Sequence, residues 1–381
     1  MRTRFIESIL LIDAVQWNAV AGVDYPFLQH AFLAALEMSG SVCARSGWQP
    51  QHLLVEDDSG YLLAILPLYL KSHSYGEYVF DWEWAEAYRR HNLDYFPKLL
   101  SAIPFTPATG PRLAFRDVDA HSLIAVVADA LEKQSHMLGA SGWHCLFPPP
   151  SEDALWQTTD AQLRLGCQFH WKNYQFNTFD DFLALFTSRK RKELKRERRI
   201  VAESGIQLQR LTGHAITLEH WQQFYRFYQM TYLKRSGHGG YLTQEFFNQL
   251  HNSFRHQLLL VMAYDGDMAI AGALIFFSST TLYGRYWGAV RDVPGLHFEA
   301  CYYQGIEFCI ERQLQFFDPG AQGEHKITRG FEPVLTHSYH RIHHPEFRQA
   351  IGDFLQREQG AVKQYQQACA ECLPFKVTPA C

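Results

Sequence analysis

The chain has 381 residues, 47% of them apolar and 19% charged, the balance of a packed protein long enough for two ordinary domains. A formal net charge of −4 excludes a global affinity for nucleic acid or acidic lipid, so a polyanionic partner must use a local patch. No apolar run reaches the roughly 18 residues that span a bilayer, and no small-residue cleavage site follows the short apolar stretch near Met1, so the expected location is the cytoplasm.

In chain order, PFLQHAFLAALEMSG (26–40) reads as a helix. LLVEDDSGYLLAILPLYL (53–70) is an apolar run, an Asp/Gly turn and a second apolar run, the signature of a hairpin. YGEYVFDWEWA, from Tyr75, reads as a third strand with Trp82 and Trp84 on one side. YFPKLLSAI, from Tyr95, reads as a helix leading into a strand and the polar loop of PFTPATGPRL (104–113). A strand, GCQFHWKNYQF (166–176), then precedes one long helix over 178–206. Thr178 is its N-cap, with Asp181 three residues on, and Gly205 is its stop.

The second half repeats the first. A helix (219–237) precedes a hairpin (259–277), and YGRYWGA from Tyr283 answers YGEYVFDWEWA. Apolar residues at 298, 301, 302, 305, 308 and 309 then follow a helical period. That helix leads to the apolar strand LQFFD and the glycine-rich loop GAQGEHKITRGFEP (320–333). The expected fold is therefore α/β: two tandem α-β-β-β-α-β modules, each a mixed sheet flanked by helices. The expected divisions are an N-terminal domain (1–165), a linking strand and basic helix (166–205), and a C-terminal domain with a terminal helix from Pro345 (206–381).

Arg189 to Arg199 holds eight basic and two acidic residues. A solvated helix laced by Glu/Arg pairs is one reading. A contact with phosphate or RNA is the other, with Arg191, Lys195 and Arg198 as candidate donor-binding residues. The eight cysteines are scattered and suit small core residues, and the Cys369/Cys372 pair lacks the second ligand pair of a zinc site. His337, His340, His343 and His344 are close in sequence but have no carboxylate or cysteine at fixed spacing, so no metal site is expected. No nucleophile elbow, phosphate-binding Walker loop or dinucleotide fingerprint is present.

The tandem units, the basic helix ending in ESGI, and the stretches EYVFDWEWA, PFTPATGPRL and YWGAV…HFEACYYQGIE…GEHKITRGFEP resemble the FemAB-like, peptidoglycan biosynthesis/recognition branch of the GNAT acyltransferase superfamily. The resemblance runs from about Trp17 to Glu358. It implies two GNAT-like domains and transfer of an aminoacyl or acyl group to an amine of a cell-wall peptide precursor. It also implies that Lys326, Gly330 and Phe331 occupy the place of a lysine-bearing motif in relatives. Aminolysis passes through an oxyanion that a fixed cation stabilises, and Lys326 is the candidate for that charge. The plain alternative is a surface turn whose lysine is only solvated.

A general base is expected from His297, Glu299, Glu324 or His325. Acceptor contacts are expected from Asp81, Trp82, Trp84, Arg112, Tyr283, Arg285, Tyr286, Tyr303 and Arg329. CoA-dependent relatives bind pyrophosphate on a Q/R-x-x-G-x-G/A loop. Here RDVPGLHFEA (291–300) keeps Gly295 but has one residue too many, Pro294 and a bulky His297. This favours aminoacyl-tRNA over acyl-CoA as donor, each a co-substrate rather than a tightly bound cofactor. A CoA-dependent N-acyltransferase and a non-catalytic recognition module remain the alternatives.

Overall fold

Apolar runs broken by Asp/Gly turns make the strands of two sheets. The computed structural model describes residues 1–321 and 323–376. Its strands are β1 (Arg2–Ile6), β2 (Trp48–Pro50), β3 (His52–Glu56), β4 (Leu62–Leu66), β5 (Tyr69–Lys71), β6 (Lys98–Ser101), β7 (Ala114–Phe115) and β8 (Gly142–Leu146). There follow β9 (Gln162–Lys172), β10 (Ile206–Thr212), β11 (Leu258–Asp265), β12 (Met268–Phe277), β13 (Thr281–Ala289), β14 (Phe316–Asp318) and β15 (Glu332–Ile342). The chain forms two compact units, Met1–Cys167 with Leu335–Tyr365, and Gln168–Val334 with the segment from Gln366. Beside the sequence boundaries at 165 and 205, residues 335–365 join the first unit, and the basic helix lies within the second.

In the first unit, β1, β3, β4 and β7 pair antiparallel. A second group places β8 between antiparallel β15 and parallel β6, with β5 and β2 beyond. Helix Ala120–Met137 buries Leu123, Ile124, Val127 and Leu131 in a core with Trp143, Trp156 and Tyr339.

In the second unit, β10 to β13 pair antiparallel in chain order, β13 pairs parallel with β14, and β14 pairs antiparallel with the end of β9. Helix Leu218–Ser236 covers one face and packs so closely that a Cβ at Gly288 would lie 2.2 Å from the Phe227 backbone. Helix Gln304–Arg312 covers the other, where a Cβ at Gly305 would lie 2.5 Å from the Phe317 ring. Both faces are thus buried, as a sheet with near-continuous apolar strands requires.

Four sequence expectations change. YFPKLLSAI holds β6 rather than a helix, since a fully buried run of four residues fits between β5 and β8. The stretch after Asp81 is a helix, Trp82–Arg90, not a strand. Trp82 and Trp84 therefore sit about 200° apart, Trp82 exposed and Trp84 buried against Ile342 and Leu355. Residues 104–113 are loop, with strand only at β7. The segment 178–206 is two helices, Phe179–Ala184 and Ser188–Glu203, because buried Phe186 bridges to Phe375 at the break. The Thr178–Asp181 capping box and the left-handed Gly205 (φ 79°) stand as expected.

Among the cysteines, Cys145, Cys309 and Cys369 are buried and Cys372 is exposed, while Cys381 lies outside the described residues. No helix among the described residues is long and apolar enough to cross a membrane.

Candidate functional site

The pairing of β13 with β14 ends at Tyr283 and Asp318, yet β13 runs on to Ala289. Pro319 offers no N–H to continue the ladder, and Gly320 turns with φ 97°. The two strands therefore part, and the loop after β14 folds back as a short helical turn, Glu324–Arg329, between left-handed Gly323 and Gly330. Gly330 leaves no room for a side chain, since a Cβ would lie 2.8 Å from the Phe186 ring.

Lys326 is on this turn and is 1% exposed, so the solvated-lysine alternative does not describe it. Its Nζ donates to Gly320 O at 2.5 Å, the carbonyl at the point of strand separation. Burial pushes its pKa down to about 8, against the pull of Asp318 and Cys301, and Arg285 pushes further down. The turn is braced from behind. Arg329 donates to His325 O at 2.8 Å and to Glu197 Oε1 at 2.7 Å, with its guanidinium 3.5 Å from the Phe298 ring centre.

His325, exposed on the same turn, meets Tyr302 OH through Nε2 at 2.9 Å, and burial followed by Arg329 and Lys326 lowers its pKa. His297 lies between the Trp287 and Tyr302 rings, and burial with four neighbouring basic groups, Arg235 foremost, brings it down to about 4. Glu324 is exposed. Glu299 is buried, its oxygens taken by Arg198 at 2.8 and 3.1 Å and by Gln304. The structure thus gathers Lys326, His325, His297, Tyr302 and Arg329, while Glu299 is committed to Arg198.

Arg198 is equally committed, with Glu307 on its other nitrogen at 2.6 Å and Phe179 beneath it at 4.5 Å. Lys195 pairs at the surface with Asp180 at 2.9 Å. Arg191 is half-buried on the flank. Leu194 and Val201 define the inner face of the basic helix, so Lys192, Arg196 and Arg199 point about 140–200° away from it. Lys192 and Arg196 are exposed, and among the described residues neither has an ion-pair partner. The sequence reading missed both, although the 3.6-residue period around Leu194 carries the signal. An open cleft of about 740 Å³, lined by Phe179, Lys195, Arg198, Arg199, Glu299 and Glu307, lies beside this helix.

Gly295 has φ 78° and starts the helical run from Leu296. A Cβ there would lie 3.3 Å from Val201 and 3.6 Å from Glu197 O, so the basic helix packs against this turn. Tyr303 OH donates to Glu197 Oε2 at 2.5 Å. Tyr283, Arg285 and Tyr286 line β13, with both tyrosines buried.

In the first unit, Arg112 is fully buried, its guanidinium donating to the carbonyls of Ala108, Gly110 and Leu146. It braces the 104–113 loop. Asp81 is also buried, held by the Lys98 ammonium and by Tyr95 OH at 2.6 Å, which keep its carboxyl down at about 2. Around it lies a charge cluster invisible in the sequence. Lys98 also donates to Glu77 Oε2 at 2.7 Å, and Lys71 sits 3.7 Å over the Trp48 ring. Burial pushes Lys71 down and Glu77 up, each to about 7.

The sequence matches the FemAB-like family, described as peptidoglycan biosynthesis/recognition, over residues 8–377. The chain belongs to the FemAB-like family. Its α/β fold, two units each with a mixed sheet flanked by helices, is the one the sequence leads us to expect. Its fold is similar to that of FemX, with a TM-score of 0.54 at 12% identity over 92% of this chain and 100% of that one. It is also similar to the C-terminal domain (DUF2156) of a putative lysylphosphatidylglycerol synthetase from Agrobacterium fabrum, with a TM-score of 0.55 at 8% identity over 90% of this chain and 96% of that one. L-PGS from Bacillus licheniformis matches with a TM-score of 0.50 at 10% identity, over 91% of this chain and 96% of that one. At such identities the likeness is one of fold. No curated protein sequence matches the chain.

Proposed function

We propose that the second unit transfers an aminoacyl group from aminoacyl-tRNA to an amine of a peptide or cell-wall-precursor-like acceptor. The observation that carries this reading is the buried Lys326 ammonium beside the point where β13 and β14 part. There a donor ester can lie along β13 beyond the end of its pairing with β14, with its carbonyl oxygen toward Nζ. The acceptor amine attacks the ester carbon, and the C–N bond forms as the carbonyl oxygen takes up charge. Lys326 stabilises that charge in a site where burial makes the interaction strong. Collapse breaks the ester C–O bond, and the departing ribose oxygen takes the proton removed from the amine and leaves as the hydroxyl. His325, exposed and with its pKa lowered by burial, is the base for the acceptor's proton.

Two features support a donor other than CoA: the crowding at Gly295 and the outward cations Lys192, Arg196 and Arg199. The acyl donor is a co-substrate in this reading, and the reaction belongs in the cytoplasm, where charged tRNA is found. The test is single-turnover transfer of a labelled amino acid from charged tRNA, and in parallel of an acyl group from CoA thioesters, to cell-wall precursor peptides. Transfer from tRNA that is lost in Lys326→Met supports the reading. Transfer from CoA thioesters alone overturns the donor, and an unchanged rate in Lys326→Met overturns the role of the lysine.

A further inference from the structure

A second constellation lies in the first unit, away from every residue used above. Helix Ala120–Met137 brings Glu132 and His136 onto one face, four residues apart. His343 follows the last residue of β15. Strand alternation disperses the other histidines of this run: His337 meets Asp153 at 2.8 Å, and His340 meets His144 at 2.8 Å across the β15–β8 pairing. His343 instead faces the helix. Glu132 Oε1 lies 3.5 Å from His136 Nε2 and 3.4 Å from His343 Nδ1, and one ligand atom from each of the three residues lies within 4.8 Å of the others.

The protonation of His343 follows from its neighbours. Ser135 Oγ donates its hydrogen to Glu132 O at 2.9 Å, so at 2.8 Å it accepts from His343 Nε2–H. That leaves Nδ1 a bare lone pair. Among the described residues this buried atom has no hydrogen-bond partner, and it faces a carboxylate oxygen that is also an acceptor. Two lone pairs 3.4 Å apart repel one another unless a cation lies between them. The separation has a meaning for such a cation: a tetrahedral zinc with bonds of about 2.0–2.2 Å spaces its ligand atoms by roughly 3.3–3.5 Å.

We propose that Glu132, His136 and His343 bind a divalent transition metal ion, zinc being the best match, with solvent completing the tetrahedron. This departs from the sequence expectation of no metal. The supporting contacts fit the role. The Ser135 bond fixes the ligating tautomer of His343, and Trp143 Nε1 donates to the second carboxylate oxygen at 3.2 Å, while Arg341 spans the carboxylate, Nε on that oxygen and Nη2 on Oε1, each at 3.2 Å, so an ion would share Oε1 with the guanidinium. His136 stacks on His343 at 4.0 Å and is 60% exposed, so its ring is free to turn toward a shared ion. The Arg341 guanidinium opposes a divalent charge, which sets the expected affinity in the micromolar range rather than at that of a thiolate site. The ion would tie the end of helix Ala120–Met137 to the start of helix Pro345–Glu371.

The experiment uses the full, tag-free chain stripped with a chelator. Zn²⁺ is titrated by calorimetry and Co²⁺ by visible absorption, in wild type, His136→Ala, His343→Ala and the exposed control His121→Ala. One equivalent should bind with micromolar affinity and a tetrahedral Co²⁺ spectrum. His136→Ala and His343→Ala should weaken binding roughly tenfold or more, with His121→Ala unchanged. Should His343→Ala fail to fold by circular dichroism, His136→Ala, an exposed helix position, decides alone. Absence of binding in wild type, or equal stoichiometry and affinity in wild type and His136→Ala, overturns the site.

Discussion

Replacing Lys326 with methionine keeps the length of the side chain and removes its charge. In the folded protein the lysine's pKa falls from 10.5 to about 8 through burial. At about 1.4 kcal/mol per pH unit, holding the charge costs about 3 kcal/mol more in the folded state than in the unfolded chain. The hydrogen bond to Gly320 O offsets about 1.5–3 kcal/mol of this. At neutral pH, Lys326→Met should therefore melt within a few degrees of wild type.

The two proteins separate in alkali. Below about pH 8 the lysine is charged in both states and the burial penalty is present in full. Between about 8 and 10.5 the folded state has released the proton and the unfolded chain still binds it, so stability rises with pH. Denaturant unfolding across this window should show wild type gaining about 3 kcal/mol relative to Lys326→Met. Single-turnover transfer by the variant should fall ~10²-fold or more, with donor affinity changed much less, because the charge acts mainly on the transition state. A wild-type transfer rate together with no difference in alkaline stability would refute both the burial and the role of the charge.

Further outcomes follow from the same geometry. Lys192→Glu with Arg196→Glu should weaken tRNA binding and flatten its log–log salt dependence by roughly 1.5–2; filter binding at several salt concentrations measures this, and an unchanged slope returns this face to solvent. Arg198→Glu should instead lower stability by about 3–5 kcal/mol in chemical denaturation, since it leaves Glu299 and Glu307 facing a third carboxylate. Lys98→Met should cost about 3–5 kcal/mol in the same assay, because it strands the buried Asp81 and Glu77 without their shared cation. Calorimetry with acetyl-CoA should show no micromolar binding, and saturable binding that is lost on enlarging Gly295 would reverse the donor preference.

The hairpins were legible because an Asp/Gly turn between two apolar runs has one cheap solution, and β3–β4 and β11–β12 adopt it. The helix from Trp82 was not. Its WEW triplet mimics the period of a strand, and the helical evidence lies further on, in Trp84 and Tyr88 buried four residues apart and in Glu86 paired with Arg89 and Arg90. YFPKLLSAI reads as a helix because its place in the repeat answers the helix from Cys301. What holds Lys98 inside a strand is a pair of carboxylates 17 and 21 residues away, a contact no local pattern encodes. The metal constellation divides in the same way. Glu132 and His136 form a visible i, i+4 pair, but His343 arrives 208 residues after the serine that orients it.

The basic helix shows why a charge run resists a single reading. Sequence offered two, a salt-bridged scaffold or a polyanion contact, and the helix divides them between its faces. Toward the core, Glu197 anchors Arg329 and Tyr303, and Arg198 anchors Glu299 and Glu307, at sequence separations of 101 to 132 residues. These bonds hold the turn that carries Lys326 and the helix that starts at Gly295, so this face would act on the proposed transfer through position alone. Toward solvent, Lys192 and Arg196 have no carboxylate among the described residues to satisfy them. Like charges four residues apart cost a helix a few tenths of a kcal/mol, and a phosphate backbone laid along that face would remove the cost. A donor held there would lie on the element that also braces the oxyanion lysine, so donor binding and the placement of Lys326 would be coupled through Glu197 and Arg329.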